Sequence, residues 1–463
     1  MEIKKPREIA LKVLNEISKE LNYPAHTKSK GSYSEQLPSK TINQERKFKE
    51  PIFIEERLEK ILQNFPLSDK DRRLVWELCL GVKKWQLTLD WLISQKTKIH
   101  SKEYILLNIL RLGVYQIIFL TKIPNHAAVN ESVELTKKFG IPSFTRLVNA
   151  VLRTFTRERE QLREMLKQIK KTKPDIGYSH PEWIYNRWKA IYGEQNAIKL
   201  LKWNNLPPKT YARLNTLRTT ADNLIKKWKE EGVDFNELNF PWIKEKIVYE
   251  LKSYPSLNKL ESLQSGWFYI QDPSTLLSVT MLGASNDEKI LDFCAAPGGK
   301  TTFIAQLINN KGSIFAYDSD VSRLDILKEN LNRLGVECCK VIRPEQFSEL
   351  ESNAPYDRVL VDVPCSNTGV MRRRIELRWR LKPHKIKSLQ QNQFEILSKA
   401  ARYVRNGGTI IYSTCSIEPE ENSEVIRKFL NQHPEYKIDC DKQLLPFIDG
   451  VDGAYTARLI KNK

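Results

Sequence analysis

The sequence predicts three domains: an all-helical N-terminal domain, a small α+β middle domain and a C-terminal α/β domain. The chain has 463 residues, which is enough for about three domains of ordinary size. Through the first third of the sequence, apolar residues recur at three- and four-residue spacings, as they do in amphipathic helices. In the last two fifths, short apolar strands alternate with helical segments, which is typical of βαβ units.

Residues 1–156 are predicted to be helical almost throughout. Pro124, and then Gly140 with Pro142, interrupt the pattern between helices. Residues 22–51 lose the pattern in a polar stretch rich in Ser and Lys. Such a composition predicts a mobile insertion between the first two helices.

Residues 157–270 are predicted to form a small α+β module. A highly charged helical connector opens it, and two helical patterns and two strand-like runs follow: HPEWIYNRWKAIYG, TTADNLIKKWKEEG, KTYARLNTL and EKIVYEL. Its Lys, Arg and aromatic residues are typical of an RNA-binding or linker module. A solvated helix face would have the same composition.

Residues 271–463 are predicted to form a Rossmann-like α/β domain. Four short apolar strands are separated by helical patterns: EKILDFC, GSIFAYD, YDRVLVDVP and GTIIYSTC. This alternation predicts a parallel sheet with helices on both faces. In such sheets, ligands bind beyond the carboxyl ends of the strands, where the strand order reverses. The motifs that carry the chemistry all follow strand ends.

The charge of the chain favours a polyanionic partner. Lys and Arg number 75 against 56 acidic residues, for a formal net charge of +19. Neutralising phosphates releases counterions and favours binding to nucleic acid. A basic, Lys-rich proteome is the alternative explanation. The N-terminus lacks the apolar core of a signal peptide, and the most apolar run, LRLGVYQIIFL, is too short to span a membrane. We therefore expect a cytoplasmic protein with no membrane partner.

A glycine-rich loop, LDFCAAPGGKTT, follows the first strand and opens a helix. Gly298 and Gly299 let the backbone approach a ligand closely, and Pro297 holds the turn rigid. A phosphate-binding P-loop needs a glycine five positions before Gly299, where this chain has Cys294. The sequence therefore disfavours an ATPase or GTPase.

A nucleoside cofactor fits this loop better. Asp318 ends the second strand about twenty residues further on, where a carboxylate can accept hydrogen bonds from ribose hydroxyls. A role as helix N-cap suits Asp320 or Ser322 better. NAD and S-adenosylmethionine both carry ribose hydroxyls that could donate to Asp318. The loop is not G-x-G-x-x-G, and no acid–base His lies near these strand ends, which disfavours NAD.

Two cysteines follow strands in this domain, Cys365 and Cys415. Each could fill space in the core, bind a metal or act as a nucleophile. The seven cysteines form no C-x-x-C pair, which disfavours both a metal and a disulfide framework. Two thiols beside a methyl donor suggest methylation of carbon 5 of cytosine, which requires prior attack of a thiolate on carbon 6. Asp362 is then placed to act as the acid at ring nitrogen 3.

Three motifs resemble the signature motifs of the RNA cytosine-5 methyltransferases: DFCAAPGGKT, DVPCSNTG and STCSIEPEEN. The resemblance covers essentially the whole chain and is closest to the bacterial enzymes that modify small-subunit ribosomal RNA. GWFYIQDPSTLL is similar to the motif that precedes the sheet in this family, and DGAYTARLIK to its closing strand. The helical segment with IPNHAAVNESVELTKKFG and LVNAVLR is similar to the antitermination-factor-like RNA-binding domain of that subfamily.

The resemblance implies a role for each site residue. Cys415 matches the nucleophile of the RNA enzymes and Cys365 the thiol that assists release, whereas in DNA cytosine methyltransferases the Pro-Cys thiol attacks. It also implies S-adenosylmethionine as cofactor, in contact with the loop, the second strand and the third motif: Cys294, Ala295, Ala296, Pro297, Gly298, Gly299, Lys300, Asp318 and Asp362. One departure is that KVIRPEQF replaces the usual Gly-Asp pair after the third strand, so the adenine contact there is not predicted.

A basic segment follows Cys365. Between Met371 and Lys387 it has eight Lys or Arg against one Glu. Beside the catalytic cleft, such a segment is typical of a clamp for RNA phosphates, with an aromatic ring for stacking. The predicted RNA contacts are Arg372, Arg373, Arg374, Arg378, Trp379 and Arg380.

The sequence thus predicts an S-adenosylmethionine-dependent enzyme that makes 5-methylcytosine in small-subunit ribosomal RNA. We expect a monomer that binds neither DNA nor a metal. The same chemistry on tRNA or another RNA is an alternative substrate. A non-catalytic RNA-binding or assembly factor is an alternative of a different class, but binding alone requires neither Cys365 nor Cys415.

Overall fold

The computed structural model describes residues 5–20, 53–99 and 103–462. The chain divides into two compact units, one of Met1–Asn205 with Arg374–Trp379 and the other of Leu206–Arg373 with Arg380–Lys463. The predicted mobile insertion, residues 22–51, lies outside the described residues. Within the described ranges, every helix is too short or too polar to cross a membrane.

The first unit is helical, as predicted. Its N-terminal part contains eleven α-helices among the described residues: α1 (Pro6–Glu20), α2 (Ile54–Leu62), α3 (Asp69–Lys84), α4 (Gln86–Ser94), α5 (Tyr104–Phe119), α6 (Asn125–Lys138), α7 (Thr145–Arg157), α8 (Arg159–Thr172), α9 (Pro174–Gly177), α10 (Glu182–Tyr192) and α11 (Glu194–Trp203). Pro124 lies in the predicted break between α5 and α6. The long apolar pattern from Asp71 to Ile93 forms two helices, because the chain turns at Trp85.

Helix α5 is the centre of this unit, since every residue from Leu106 to Ile118 is buried. Arg111, which interrupts the apolar run in the sequence, is buried as well. Its guanidinium donates two hydrogen bonds to Asp90, at 2.6 and 2.7 Å, and a third to Asn108 at 2.9 Å. The buried charge is therefore paired in the bidentate geometry that arginine favours.

The second unit begins with a small antiparallel sheet. Its elements are β1 (Thr210–Leu214), α12 (Ala221–Glu230), β2 (Asp234–Leu238), β3 (Val248–Ser253), α13 (Glu261–Gln264) and β4 (Phe268–Ile270), with strand order β2-β3-β1-β4. Trp228 of α12 is fully buried and packs edge-on against Tyr249 and Phe268, with ring centroids 5.3 and 5.2 Å away. This confirms the predicted α+β module.

The remaining elements build the predicted α/β domain. They are α14 (Leu277–Leu282), β5 (Lys289–Asp292), α15 (Gly299–Leu307), β6 (Ser313–Tyr317), α16 (Val321–Leu334), β7 (Cys339–Ile342), α17 (Phe347–Ser352), β8 (Tyr356–Asp362), α18 (Leu377–Arg380), α19 (Pro383–Ala401), β9 (Val404–Thr414), α20 (Ser423–Gln432), β10 (Tyr436–Leu444), α21 (Pro446–Asp449) and β11 (Ala454–Lys461). Of these, α18 belongs to the first unit as far as Trp379.

The seven strands of this domain have the order β10-β11-β9-β8-β5-β6-β7. Neighbours from β7 across to β9 are parallel, whereas β11 is antiparallel to both β9 and β10. The sheet is therefore mixed, and the expectation of a purely parallel sheet is wrong for its last two strands. The chain builds outward from β5 to β7 and then returns to the other side of β5 with β8. The strand order thus reverses between β5 and β8, where an open α/β sheet binds its ligand.

The basic segment after Cys365 is mostly buried. Arg372 is 2% exposed, and Arg372 and Arg373 both form ion pairs with Asp452 and Asp272 in the second unit. These two arginines join the QDPSTLL and DGAYT motifs to the segment that follows Cys365. Arg373 is partly exposed and Arg380 is half-buried.

The next part of the segment belongs to the helical unit. Arg378 is fully buried and donates to three backbone carbonyls and one side-chain oxygen: Lys84 at 3.4 Å, Ser179 at 3.3 Å, Asn204 at 2.9 Å and Asn205 Oδ1 at 2.8 Å. The indole of Trp379 donates to the Lys83 carbonyl at 2.9 Å. The prediction of an exposed RNA clamp is therefore wrong for Arg372, Arg378 and Trp379, because their side chains satisfy buried polar groups of the protein.

The buried position of Arg378 predicts a structural role. Arg378→Met should lower the free energy of unfolding by about 2–4 kcal/mol, because buried carbonyl groups lose their donor. Urea denaturation followed by circular dichroism measures the loss. Arg374→Met is the matched control, since the Arg374 side chain is 43% exposed, and it should change stability by at most about 1 kcal/mol. Equal stability of the two variants would contradict an anchoring role for Arg378.

Candidate active site

The predicted site residues of the α/β domain meet at one edge of its sheet. Asp318 directly follows β6, Asp362 ends β8 and Cys415 directly follows β9, and Asp292, which the sequence analysis did not single out, ends β5. Asp362 pairs in register with Ser413 of β9. The carboxyl ends of parallel strands share one edge, so the sequence pattern places these four side chains together.

The glycine loop connects β5 to α15 and is held by neighbouring elements. Gly298 has a φ of +103°, and a Cβ there would lie 2.5 Å from Leu327 Cδ1. The amide of Ala296 donates to Asp318 at 3.1 Å, and Asn330 of α16 donates to the Pro297 carbonyl at 2.9 Å. A side chain at position 298 would therefore distort the loop itself, apart from any effect on a ligand.

Two buried carboxylates at this loop have acceptor capacity left. Asp318 accepts from the amides of Ala296 and Asp320, which uses two of about four lone-pair positions. Asp292 accepts from Thr301 at 2.7 Å through Oδ2, whereas its Oδ1 has no hydrogen-bond partner among the described residues. Burial, with Asp362 nearby, raises the pKa of Asp292 to about 7. These groups suit a ligand with hydroxyl or amino donors, such as a nucleoside.

Lys300 and Asp362 form an ion pair between the glycine loop and β8. Lys300 Nζ lies 2.6 Å from Asp362 Oδ2, and the hydroxyl of Ser413 donates to Asp362 Oδ1 at 3.0 Å. Burial disfavours the ammonium form of Lys300, but Asp362 and, more weakly, Cys415 outweigh burial and raise its pKa. A persistent positive charge is therefore held within electrostatic range of the Cys415 sulfur.

The two cysteines are in direct contact. Cys365 Sγ lies 3.1 Å from Cys415 Sγ, and Cys415 Sγ lies 2.8 Å from the side-chain oxygen of Asn367. The Asn367 amide donates to the Cys365 carbonyl at 3.0 Å. The hydrogen bond with Cys415, together with burial, raises the pKa of Cys365 well above its ordinary value. Cys365 is therefore a thiol for as long as its hydrogen bond with Cys415 persists.

The loop that carries Cys365 approaches the Cys415 loop at Gly369. The Gly369 amide donates to the Cys415 carbonyl at 3.0 Å. A Cβ at this position would lie 2.7 Å from the same oxygen, which is closer than non-bonded atoms tolerate. Gly369 is thus required for the approach of the two loops, as expected where backbones pack closely.

A buried glutamate, which the sequence analysis did not single out, lies beneath both cysteine loops. Glu421 is fully buried and accepts hydrogen bonds from Ser366 and Ser416, the residues that follow the two cysteines. It is part of STCSIEPEEN, as Asn367 is part of DVPCSNTG. The motifs contain both residues, but only the folded chain shows what they contact.

The small antiparallel module supports the glycine loop through Arg213. Arg213 is buried on β1 and donates to the Gly299 carbonyl at 2.9 Å, to Gln271 at 2.7 Å and to Thr302 at 3.0 Å. Burial lowers the pKa of Arg213 to about 9. Sequence analysis missed this residue, because nothing in its strand pattern indicates a partner 86 positions away.

Family models match three parts of the chain. Residues 279–459 match the 16S rRNA methyltransferase RsmB/F model, residues 35–157 match the NusB family, and residues 180–244 match the ferredoxin-like domain of RsmF/B-like methyltransferases. The helical, α+β and Rossmann-like parts of the predicted fold are thus each represented by a known family.

Similar proteins cover most of the chain. The ribosomal RNA small subunit methyltransferase B of Photorhabdus laumondii is 35% identical over 87% of this chain and 93% of its own. Its counterpart from Escherichia coli O157:H7 is 34% identical over 85% of this chain and 92% of its own. Among solved structures, PH0851 is 25% identical, with a TM-score of 0.70 over 89% of this chain and 94% of its own. The chain therefore belongs to the RsmB/F family of 16S rRNA methyltransferases, enzymes that use S-adenosylmethionine.

Proposed function

We propose that the protein methylates carbon 5 of a cytosine in small-subunit ribosomal RNA, through a covalent bond between Cys415 and carbon 6 of the base. The contact between the thiols of Cys365 and Cys415, at 3.1 Å, carries this proposal. The relatives that share about a third of its residues are named for ribosomal RNA of the small subunit, which supports the choice of substrate.

The thiol pair fits the chemistry that carbon 5 requires. This carbon is too weak a nucleophile to take a methyl group unaided, whereas addition of a thiolate to carbon 6 makes it enamine-like. The Lys300 ammonium is held within electrostatic range of Cys415, so a positive charge lies near the sulfur that is proposed to attack. Asn367 holds the Cys415 sulfur at 2.8 Å and so restricts its direction of attack.

Cys365 is suited to the later elimination. Its raised pKa comes first from the hydrogen bond with Cys415. Once Cys415 is bonded to carbon 6, that hydrogen bond is gone, which removes the largest contribution to the raised pKa of Cys365 and lets its thiol lose its proton to solvent. Cys365 can then take the proton from carbon 5. The electron pair left behind restores the double bond between carbons 5 and 6 as the bond from Cys415 to carbon 6 breaks.

Asp362 is proposed to act at ring nitrogen 3 together with Lys300. The two side chains form one ion pair at 2.6 Å. The proton donated to nitrogen 3 would therefore come from this pair and not from an isolated carboxyl group. Ser413 fixes the other carboxylate oxygen at 3.0 Å. General acid catalysis requires such a fixed donor within hydrogen-bond distance of the base.

S-adenosylmethionine supplies the methyl group as an electrophilic sulfonium. The residues proposed to hold it are the loop from Cys294 to Lys300 and the carboxylates of Asp318 and Asp362. The free acceptor capacity of Asp318 and the unpaired oxygen of buried Asp292 support this assignment. Asp362 is half-buried and bonds to Lys300 of this loop and to Ser413, two residues before Cys415, which supports its inclusion.

Asp318→Asn should weaken binding of S-adenosylmethionine by about tenfold, because an amide is a poorer acceptor for hydroxyl donors than a carboxylate. Isothermal titration calorimetry of the purified chain measures the change. Asp320→Asn is the matched control, since Asp320 caps α16 through the Ser322 amide and asparagine caps helices equally well. Equal affinities of the two variants for S-adenosylmethionine would show that Asp318 does not contact the cofactor.

The two cysteines should give different phenotypes on substitution. Cys415→Ser should abolish methylation and leave no covalent adduct, because a hydroxyl is a far poorer nucleophile for this addition. Cys365→Ser should allow attack and methyl transfer but slow elimination, so that a protein–RNA adduct accumulates. Denaturing gel electrophoresis with S-adenosylmethionine and small-subunit RNA resolves the adduct as a slow band.

Cys440→Ser is the control for these variants, because Cys440 is exposed, and it should behave as the unaltered protein. An adduct in Cys415→Ser, with none in Cys365→Ser, would make Cys365 the attacking thiol. If both variants retained methylation and were only modestly less stable, both cysteines would be core residues without a catalytic role.

Loss of the gene should remove one or very few 5-methylcytosines from small-subunit ribosomal RNA. Bisulfite sequencing of total RNA from cells with and without the gene measures this directly. Restoring the gene should restore the modification, whereas the Cys415→Ser form should not. A loss confined to tRNA would keep the chemistry but change the substrate.

A further inference from the structure

Glu421 joins the two loops that carry the cysteines. Its Oε1 accepts from the Ser366 amide at 2.8 Å and from the Gln393 amide group at 2.9 Å. Its Oε2 accepts from the Ser416 hydroxyl at 2.6 Å and also from the Ser366 hydroxyl. Four donors from three elements of the chain therefore converge on one buried carboxylate.

The donors are distributed so that the carboxylate fixes the distance between the loops. Ser366 directly follows Cys365, and Ser416 directly follows Cys415. Gln393 is on α19 and also donates to the Pro364 carbonyl at 2.9 Å. The backbone on either side of Cys365 is thus attached to the same network that holds Ser416.

Glu421 itself is held firmly. The Tyr412 hydroxyl of β9 donates to its carbonyl at 2.5 Å, and its side chain is 0% exposed. In a buried network of hydrogen bonds, loss of one member leaves the others unpaired in the interior. The residues that are hydrogen-bonded to this network are therefore held in fixed positions.

We infer that Glu421 is a positioning residue that holds the sulfurs of Cys365 and Cys415 in contact. This deepens the proposed function and rests on it for its consequence in catalysis, since attack and elimination require the two thiols to reach the same base. Glu421 itself touches neither sulfur in the structure. Its positioning effect passes through Ser366 and Ser416. Its charge also raises the pKa of Cys365, so loss of the charge alone would make that thiol more reactive, not less.

The test measures thiol approach separately from methylation. Diamide oxidises two neighbouring thiols to a disulfide and takes up their two hydrogens, so its rate of cross-linking Cys365 to Cys415 reports how often the sulfurs meet. Peptide mapping by mass spectrometry distinguishes this cross-link from those of the other cysteines. The same preparations are assayed for S-adenosylmethionine affinity by calorimetry and for single-turnover methylation of small-subunit RNA.

Glu421→Gln should slow both the cross-link and single-turnover methylation by about tenfold or more, because displacement of reacting groups by about 1 Å has effects of this size. Affinity for S-adenosylmethionine should stay within about twofold, since the network does not contact the glycine loop. Glu395→Gln is the matched control. Glu395 is exposed on α19 and accepts from Gln391, so this variant should cross-link and methylate as the unaltered protein does.

Ser416→Ala provides a second variant if Glu421→Gln folds poorly by circular dichroism. It removes one of the four donors and should slow the cross-link by a smaller factor. Cross-linking of folded Glu421→Gln or Ser416→Ala at the rate of the unaltered protein would overturn the inference. If the unaltered protein forms no 5-methylcytosine but Glu421→Gln still slows the cross-link, the proposed function fails and the positioning role stands.

Discussion

The ion pair between Lys300 and Asp362 is the interaction on which the arrangement of the site depends. It connects the first turn after the glycine loop to the end of β8, and Ser413 extends the connection to β9. An ion pair removed from water stabilises a fold only when its geometry and remaining hydrogen bonds compensate for desolvation. This pair is partly buried, since the Asp362 side chain is 32% exposed, and both carboxylate oxygens accept a hydrogen bond. The glycine loop and the end of β9, which Cys415 directly follows, are thereby kept in a fixed relation.

A second set of buried charges holds the chain beyond Cys365. Arg372 and Arg373 pair with Asp272 and Asp452, which come from motifs at the two ends of the α/β domain. Removing one partner of such a cluster leaves an uncompensated buried charge, which is far more costly than losing an exposed pair. This constraint explains why Arg372 and Arg373 are held by carboxylates of the second unit instead of forming an exposed clamp. Each guanidinium can pair with more than one carboxylate, which a lysine ammonium does less well.

Sequence patterns located the strand ends because parallel strands buried on both faces are short apolar runs, and β5, β6, β8 and β9 all fit that description. Strand β10 was missed, since Lys437 to Asp441 are exposed and give no apolar alternation. The prediction for the basic segment was wrong for a different reason. Composition shows that a segment is charged, but partners distant in sequence decide whether an arginine faces solvent, as Asn204 does for Arg378. The contacts of Glu421 and Arg213 were hidden for the same reason, although the cysteines and Asp318 could be placed from their strands alone.

The contact of the thiols also bears on the proposal that one cysteine attacks and the other assists. The hydrogen bond between the two sulfurs is the first cause of the raised pKa of Cys365. Lys300 lies within electrostatic range of Cys415, whereas Cys365 is influenced by the carboxylate of Glu421. A positive charge near one sulfur and a negative charge near the other make the pair asymmetric. This asymmetry supports the proposed division of roles, with Cys415 as the attacking thiol and Cys365 as the assisting one.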